Sequence, residues 1–190
     1  MKKLLLLLPL FALVFTFTAC EEDPEVPQIT DGILRYDGPN NTAPVFNAGV
    51  YEAAARFTPA LTEQFEGKKL EEVSFYLVEL PVYAEVRVYG RGRNDEPGDM
   101  LYSADVTNNM AANSWNDHTL TESVELDGRD LWISVYLEHT RTTQSIGCDS
   151  GPAINNAGDW LYEENDQDWA TFTQRSGASI NWNIRGAVEE

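Results

Sequence analysis

Acids are the residues best placed to do chemistry in this chain. Glu163, Glu164, Asp166 and Asp168 crowd into the segment between Trp160 and Trp169. Two carboxyls facing each other across a cleft at ~5–5.5 Å, or at ~6.5–9.5 Å, are what glycoside hydrolysis requires. A cluster of carboxylates can also hold calcium, which takes roughly six to eight oxygen ligands. The same spacing suits a solvated hairpin loop equally well, because with 31 acids in 190 residues close pairs arise from composition alone. The turns Asn94-Asp95-Glu96 and Asp127-Gly128-Arg129-Asp130 add further oxygen donors, but neither follows the EF-hand ladder. A structural calcium therefore stays open, its site unknown. No other cofactor is expected.

Other catalytic arrangements find little material. The two histidines, His118 and His139, are not in a His-Glu-x-x-His pattern, and no Gly-x-Ser-x-Gly elbow or phosphate-cradling loop is present. Both histidines read as surface or strand-end residues, and Cys148 as a small buried hydrophobe. The expectation is a protein that is not an enzyme, with glycoside hydrolysis through Glu163 and Asp168 as the remote alternative.

Binding has more to work with. Five Trp, eight Tyr and eight Phe are present. Trp132 and Tyr136, with Tyr76, Tyr83 and Tyr89 on neighbouring segments, occupy the polar side of their strands. A flat apolar ring with a hydrogen-bonding tip suits the stacking of sugars. Trp160, Tyr162 and Trp169 flank the acidic segment and offer a second, loop-built site. The same aromatics would serve equally well as packing between sheets or under a loop.

These side chains sit on segments with the period-two alternation of strands. Val73, Phe75 and Leu77 share one face; so do Ala84, Val86 and Val88; so do Leu131, Ile133, Val135 and Leu137; so do Ile180, Trp182, Ile184 and Val188. Less regular strands are expected near 33–36, 50–58, 99–106, 115–120, 123–126, 159–163 and 169–173. Gly, Pro, Asn and Asp punctuate them at 37–41, 94–98, 127–128 and 150–152. Many short one-sided strands without helical crossovers point to an all-β fold, an antiparallel jelly-roll-like β-sandwich over residues 32–190.

The N-terminus has its own logic. Lys2 and Lys3 precede an apolar run from Leu4 to Phe17 that ends in Thr18-Ala19-Cys20. Fourteen residues are too few to span a bilayer, which takes about 20, and the order is that of a secretory signal. Small Ala19 before Cys20 resembles a bacterial lipobox, with Phe17 where Leu is usual. The resemblance implies a signal peptide over 1–19 and an acylated Cys20 as the lipid attachment site. Residues 20–31, with Pro24, Pro27 and Glu21-Glu22-Asp23, read as an acidic flexible tether, and twelve residues at ~3.3 Å each reach roughly 40 Å. Acids beside the acylated cysteine resemble the export signal of Bacteroidota-type surface lipoproteins. That implies lipid anchoring in the outer membrane, facing the cell exterior, with the periplasmic face as the alternative.

Loss of residues 1–19 removes two of 13 basic residues and no acid, taking the net charge from −18 to −20. Such a surface excludes nucleic acid as a partner.

A second resemblance runs through the domain in order: Tyr36-Asp37-Gly38, Ala55-Arg56-Phe57-Thr58, Val73-Ser74-Phe75-Tyr76, Val86-Arg87-Val88-Tyr89-Gly90, Pro97-Gly98-Asp99-Met100-Leu101, Leu131-Trp132-Ile133-Ser134, Asp149-Ser150-Gly151-Pro152, Trp169 and Asn183-Ile184-Arg185-Gly186. It is similar to the jelly-roll modules of secreted Bacteroidota proteins. It implies a non-catalytic extracellular module that binds a glycan or a cell-surface protein, or else a structural adhesin or accessory subunit of an outer-membrane complex.

Overall fold

Alternation along the chain becomes two facing sheets. The structure is a computed structural model that describes residues 31–189. The expected signal peptide over 1–19, the expected lipid attachment at Cys20 and the expected tether up to residue 30 lie outside the described residues. Ten strands follow in order: β1 Ile33–Leu34, β2 Gly49–Phe57, β3 Lys69–Leu77, β4 Tyr83–Tyr89, β5 Met100–Asp105, β6 Ser114–Glu125, β7 Leu131–His139, β8 Trp160–Glu163, β9 Asp168–Thr171 and β10 Ile184–Val188. Among the described residues they form a four-stranded sheet, β1-β10-β3-β6, and a six-stranded sheet, β5-β4-β7-β2-β8-β9. Every pairing is antiparallel. The all-β, antiparallel sandwich read from the sequence is the observed fold.

The inner faces are those the periodicity assigns. Val73, Phe75, Leu77, Val86, Val88, Ile133, Val135, Leu137 and Ile184 are fully or almost fully buried between the sheets. Each such side chain contributes about 1.5–3 kcal/mol on leaving water. The sheets approach closely at Gly186, where an added Cβ would come within 2.5 Å of Ile133 Cδ1 and 2.6 Å of Leu70 Cδ1.

β2 and β7 are central and covered on both sides. On β2, Tyr51, Ala53, Ala55 and Phe57 join the inner core, while Ala54 lies on the opposite face beneath Trp132 and Trp160. Three consecutive alanines suit this double-sided confinement, because small residues leave room for the tryptophans above them.

Some boundaries differ from the sequence expectation. The strands expected at 115–120 and 123–126 are one strand, β6, whose pairing with β3 shifts between Leu70 and Glu72 to absorb the irregularity. The run expected as strand over 169–173 stops at Thr171, which caps a short helix, α1, Phe172–Ser176. Thr171 accepts from Gln174 N, and the Gln174 side chain accepts from Thr171 N. Reciprocal bonding of this kind satisfies two free helix-end donors. Ile180 and Trp182 precede β10, and Trp182 forms only an isolated bridge to Cys148.

Candidate functional site

The outer face of the six-stranded sheet carries a polar cluster at its centre. Period two sends Glu52 outward from β2, Glu85, Arg87 and Tyr89 from β4, and Ser134 and Tyr136 from β7. Register then makes them neighbours: Glu52 lies opposite Tyr136, Glu85 opposite Tyr136, and Arg87 opposite Ser134.

Glu52 is 4% exposed. Its Oε1 accepts from Tyr89 Oη at 2.8 Å and from Ser134 Oγ at 2.5 Å, and its Oε2 accepts from Arg87 Nη1 at 2.9 Å. Arg87 Nε donates to Glu85 Oε2 at 2.7 Å, and its guanidinium carbon stands 3.9 Å from the centre of the Tyr136 ring. The phenol of Tyr83 donates to the other Glu85 oxygen.

The titrations follow from this geometry. Burial opposes the Arg87 charge, but Glu52 and Glu85 more than offset it and hold the guanidinium above its ordinary value. Burial, then the Glu52 charge, pushes the Tyr89 phenol up. Burial and the Glu138 bond push Tyr136 up to about 12. Burial works against Glu85 ionisation, yet bonds from Tyr83 and Arg87 leave its carboxyl lower than usual. All these groups therefore keep fixed protonation states near neutrality. The cluster presents charge and aromatic surface.

Above the cluster is an open cleft of about 310 Å³, with Tyr162, Trp169 and the Glu96-Pro97-Gly98 turn as its walls. Tyr162 and Trp169 meet at 5.6 Å between ring centres.

The residues singled out from the sequence scatter across this map. Tyr89 lies in the cleft floor and Trp169 in its wall. Tyr136 is half-buried beneath Arg87. Trp132 and Trp160 are a correction: they are 1% and 3% exposed and pack on each other at 5.2 Å between centroids. Arg56 and Trp169 close over Trp132, so neither buried ring offers a face to a ligand. Tyr76 is not part of this site. It stands on the other sheet, edge-on to Trp115.

The acidic hairpin is also resolved. Asp166 and Asp168 bond the Arg175 guanidinium at 2.7 and 2.6 Å, with Glu163 at 3.8 Å. These acids grip one arginine of α1 and do not face each other across an open cleft. Among the described residues, no three His, Cys, Asp or Glu side chains are grouped to hold a metal ion.

His139 ends β7, the strand-end position expected of it, but it is 5% exposed and bonded to Ser145 Oγ at 2.8 Å; burial lowers its pKa. His118 is partly exposed and bonded to Tyr102 Oη at 2.8 Å. Cys148 is fully buried, as expected. Burial, then the Asp149 charge, pushes its thiol up to about 11, and no hydrogen bond joins it to a histidine.

Sequence reasoning missed Glu52. Its signal was present: an acid at an outward position of a strand whose next outward residue is alanine, so that it faces a covered surface.

No protein-family model and no curated protein matches the chain. Solved structures do, and two of them illustrate the likeness. One is the clostridial cysteine protease Cwp84 after propeptide cleavage, with a TM-score of 0.60 and 15% identity, covering 86% of this chain and 41% of that one. The other comprises the cysteine protease and lectin-like domains of Cwp84, a surface-layer-associated protein of Clostridium difficile, with a TM-score of 0.52 and 16% identity over 80% of this chain and 36% of that one. The chain spans about two-fifths of the length of the structures it matches. At such identity the likeness is one of fold. It nevertheless corrects the expectation of a plain non-enzymatic binding module, since the shared fold comes from a protease with an attached lectin-like domain.

Proposed function

We propose that this chain is a protease-associated β-sandwich: a domain that works beside a peptidase catalytic domain, in its own chain or in a partner, and positions that domain at the envelope. The observation that carries the reading is the fold shared with the Cwp84 protease structures over 86% of this chain. The share of those structures covered, 41% and 36%, is that of one part of a larger proteolytic chain. In this reading the sandwich supplies no peptidase nucleophile of its own. The Cys148 thiol is buried, held protonated and without a histidine partner, whereas a nucleophilic cysteine is a partly exposed thiolate. The Glu52–Arg87 cleft, with the partly buried Tyr162 and Trp169 as walls, is the working face. The lipid-anchored outer-membrane location, with Cys20 as the acylated residue, is part of the same proposal and rests on the leader sequence.

The test is proteolysis by the cells that make the protein. Deletion of the chain, or the paired change Tyr162→Ala and Trp169→Ala in a chain that still folds, is expected to lower cleavage of an added protein substrate severalfold. Cys148→Ser is expected to leave it unchanged. Unaltered cleavage on deletion would contradict the proposal, and loss of cleavage with folded Cys148→Ser would place the nucleophile here after all.

A further inference from the structure

A second cavity, of about 380 Å³, opens beside the cleft and shares only Glu96 with it. Arg56, Arg91 and Arg93 all line it. That is an unusual gathering in a chain with 13 basic residues and 31 acids. Arg56 is engaged: Nη1 donates to Asp95 at 2.7 Å and Nη2 to Asp130 at 2.9 Å, while its buried Nε finds no acceptor. Arg91 and Arg93 are not engaged. Neither guanidinium makes a hydrogen bond or an ion pair among the described residues, although carboxylates are plentiful.

The loop that carries them is firmly built. Gly98 N donates to Gly90 O and Gly90 N to Asp99 O, both at 3.0 Å, and Glu96 N donates to Arg93 O at 3.1 Å. The two limbs lie backbone against backbone. A Cβ on Gly92 would fall 1.8 Å from Glu96 O, and one on Gly98 would fall 2.2 Å from Arg91 O, so only glycine fits at either position. Asn94 and Asp95 take positive φ of 53° and 60°. That region is costly for most residues but tolerated by Asn and Asp. This turn brings the Asp95 carboxylate back onto Arg56.

Charge decides what the cavity accepts. Its three arginines face three acids, Asp95, Glu96 and Asp130. The Asp130 side chain is 12% exposed, whereas that of Asp95 is 59% exposed, so an incoming ligand meets the Asp95–Arg56 pair first. When Asp95 leaves, one positive charge is in excess, which one carboxylate neutralises and a phosphate dianion overshoots. Planar guanidinium forks also match carboxylate geometry.

We propose that this cavity binds a ligand presenting a single carboxylate. Arg91 and Arg93 supply the free donors, and Asp95 is the internal carboxylate that the ligand displaces from Arg56. The site is independent of the proteolytic reading and stands or falls separately.

The test is titration of the folded full-length chain, in detergent where acylated, followed by the arginine Nε–H resonances at constant ionic strength. The probes are N-acetyl-aspartate amide, glucuronate, inorganic phosphate and acetamide. A saturable shift of Arg91 and Arg93 with either carboxylate, and none with acetamide, is expected. The two carboxylates tell an amino-acid source from a sugar acid. Arg91→Gln and Arg93→Gln are each expected to weaken binding about tenfold, the loss of one charge-assisted hydrogen bond. Asp95→Asn, which removes the competitor and keeps a residue that accepts positive φ, is expected to strengthen it severalfold. Absence of saturation, tighter binding of phosphate than of carboxylate, or unchanged affinity in Asp95→Asn would each overturn the proposal.

Discussion

The two sheets carry matching devices on their outer faces and put them to different ends. On the six-stranded sheet, Arg87 pairs with Glu52 and lies 3.9 Å from the centre of the Tyr136 ring. On the four-stranded sheet, Arg185 pairs with Asp37 and lies 4.0 Å from the centre of the Trp115 ring. The chemistry is the same: a carboxylate, a guanidinium and an aromatic face. Access differs. The Asp37 side chain is 0% exposed, and Arg185 and Asn183 Nδ2 hold it while Asn183 and Arg185 also bond Gly38 O. It locks the Asp37-Gly38 loop to β10. The Glu52 pair lies under an open cleft with two aromatic walls. One arrangement is a fastening and the other is a floor, so motif chemistry alone does not mark a site. What differs is the carboxylate: Glu52 lines its cleft, whereas Asp37 does not line the cleft of about 290 Å³ beside Arg185 and Trp115.

Breaking the fastening should have the larger effect. Asp37→Ala strands a guanidinium and a buried amide, and removing one partner of a buried pair costs ~3–5 kcal/mol. Arg185 retains 23% exposure, so a loss near the lower end of that range, about 3 kcal/mol, is expected in urea unfolding. Glu52→Gln keeps an acceptor for Tyr89 and Ser134, and the cleft lets water reach Arg87. A loss of about 1–2 kcal/mol is expected, with the Tyr89 phenol titrating closer to its ordinary value in an ultraviolet pH titration. If Glu52→Gln proves as costly as Asp37→Ala, the contrast between floor and fastening fails.

Acid sharpens the picture at the rim of the sheets. Burial lowers the His139 pKa from 6.5. As pH falls through 6.5 the unfolded chain gains a proton that the folded imidazole refuses, so stability rises with pH below that point and is lost on acidification. The slope from one group is at most about 1.4 kcal/mol per pH unit. His139→Gln should flatten the fall in thermal midpoint just below pH 6.5 and leave the value at pH 8 little changed. The smallest effect belongs to the ring beneath Arg87. Tyr136→Leu keeps apolar bulk and removes the cation–π contact, for about 0.5–1 kcal/mol.

The sheets were legible because period two is a geometric demand. Any strand with one side in a core must alternate, and Val73-Phe75-Leu77 and Ile133-Val135-Leu137 do. The outer face was less legible. Trp132, Ser134 and Tyr136 share a strand face, yet Trp132 is 1% exposed and Ser134 is 0%. What separates them from Tyr136 is long-range: Trp160 and Trp169 arrive from residues that follow Tyr136 by more than twenty positions. Alternation reports which side a residue faces and is silent on what covers that side. Glu52 escaped notice for the related reason that its three donors come from β4 and β7, whose register no local pattern reveals. The two free arginines at 91 and 93 stood in plain view, but the glycine contacts that hold their loop shut exist only in three dimensions.

The most direct test of the protease-associated reading is photo-crosslinking from position 162, in the cleft wall, in cells that make the protein, followed by mass spectrometry. The account predicts capture of peptides from a peptidase catalytic domain, within the same chain or a partner, reduced by Glu52→Gln. Crosslinks that fall on no peptidase, reproducibly and with the chain folded at the envelope, would contradict it.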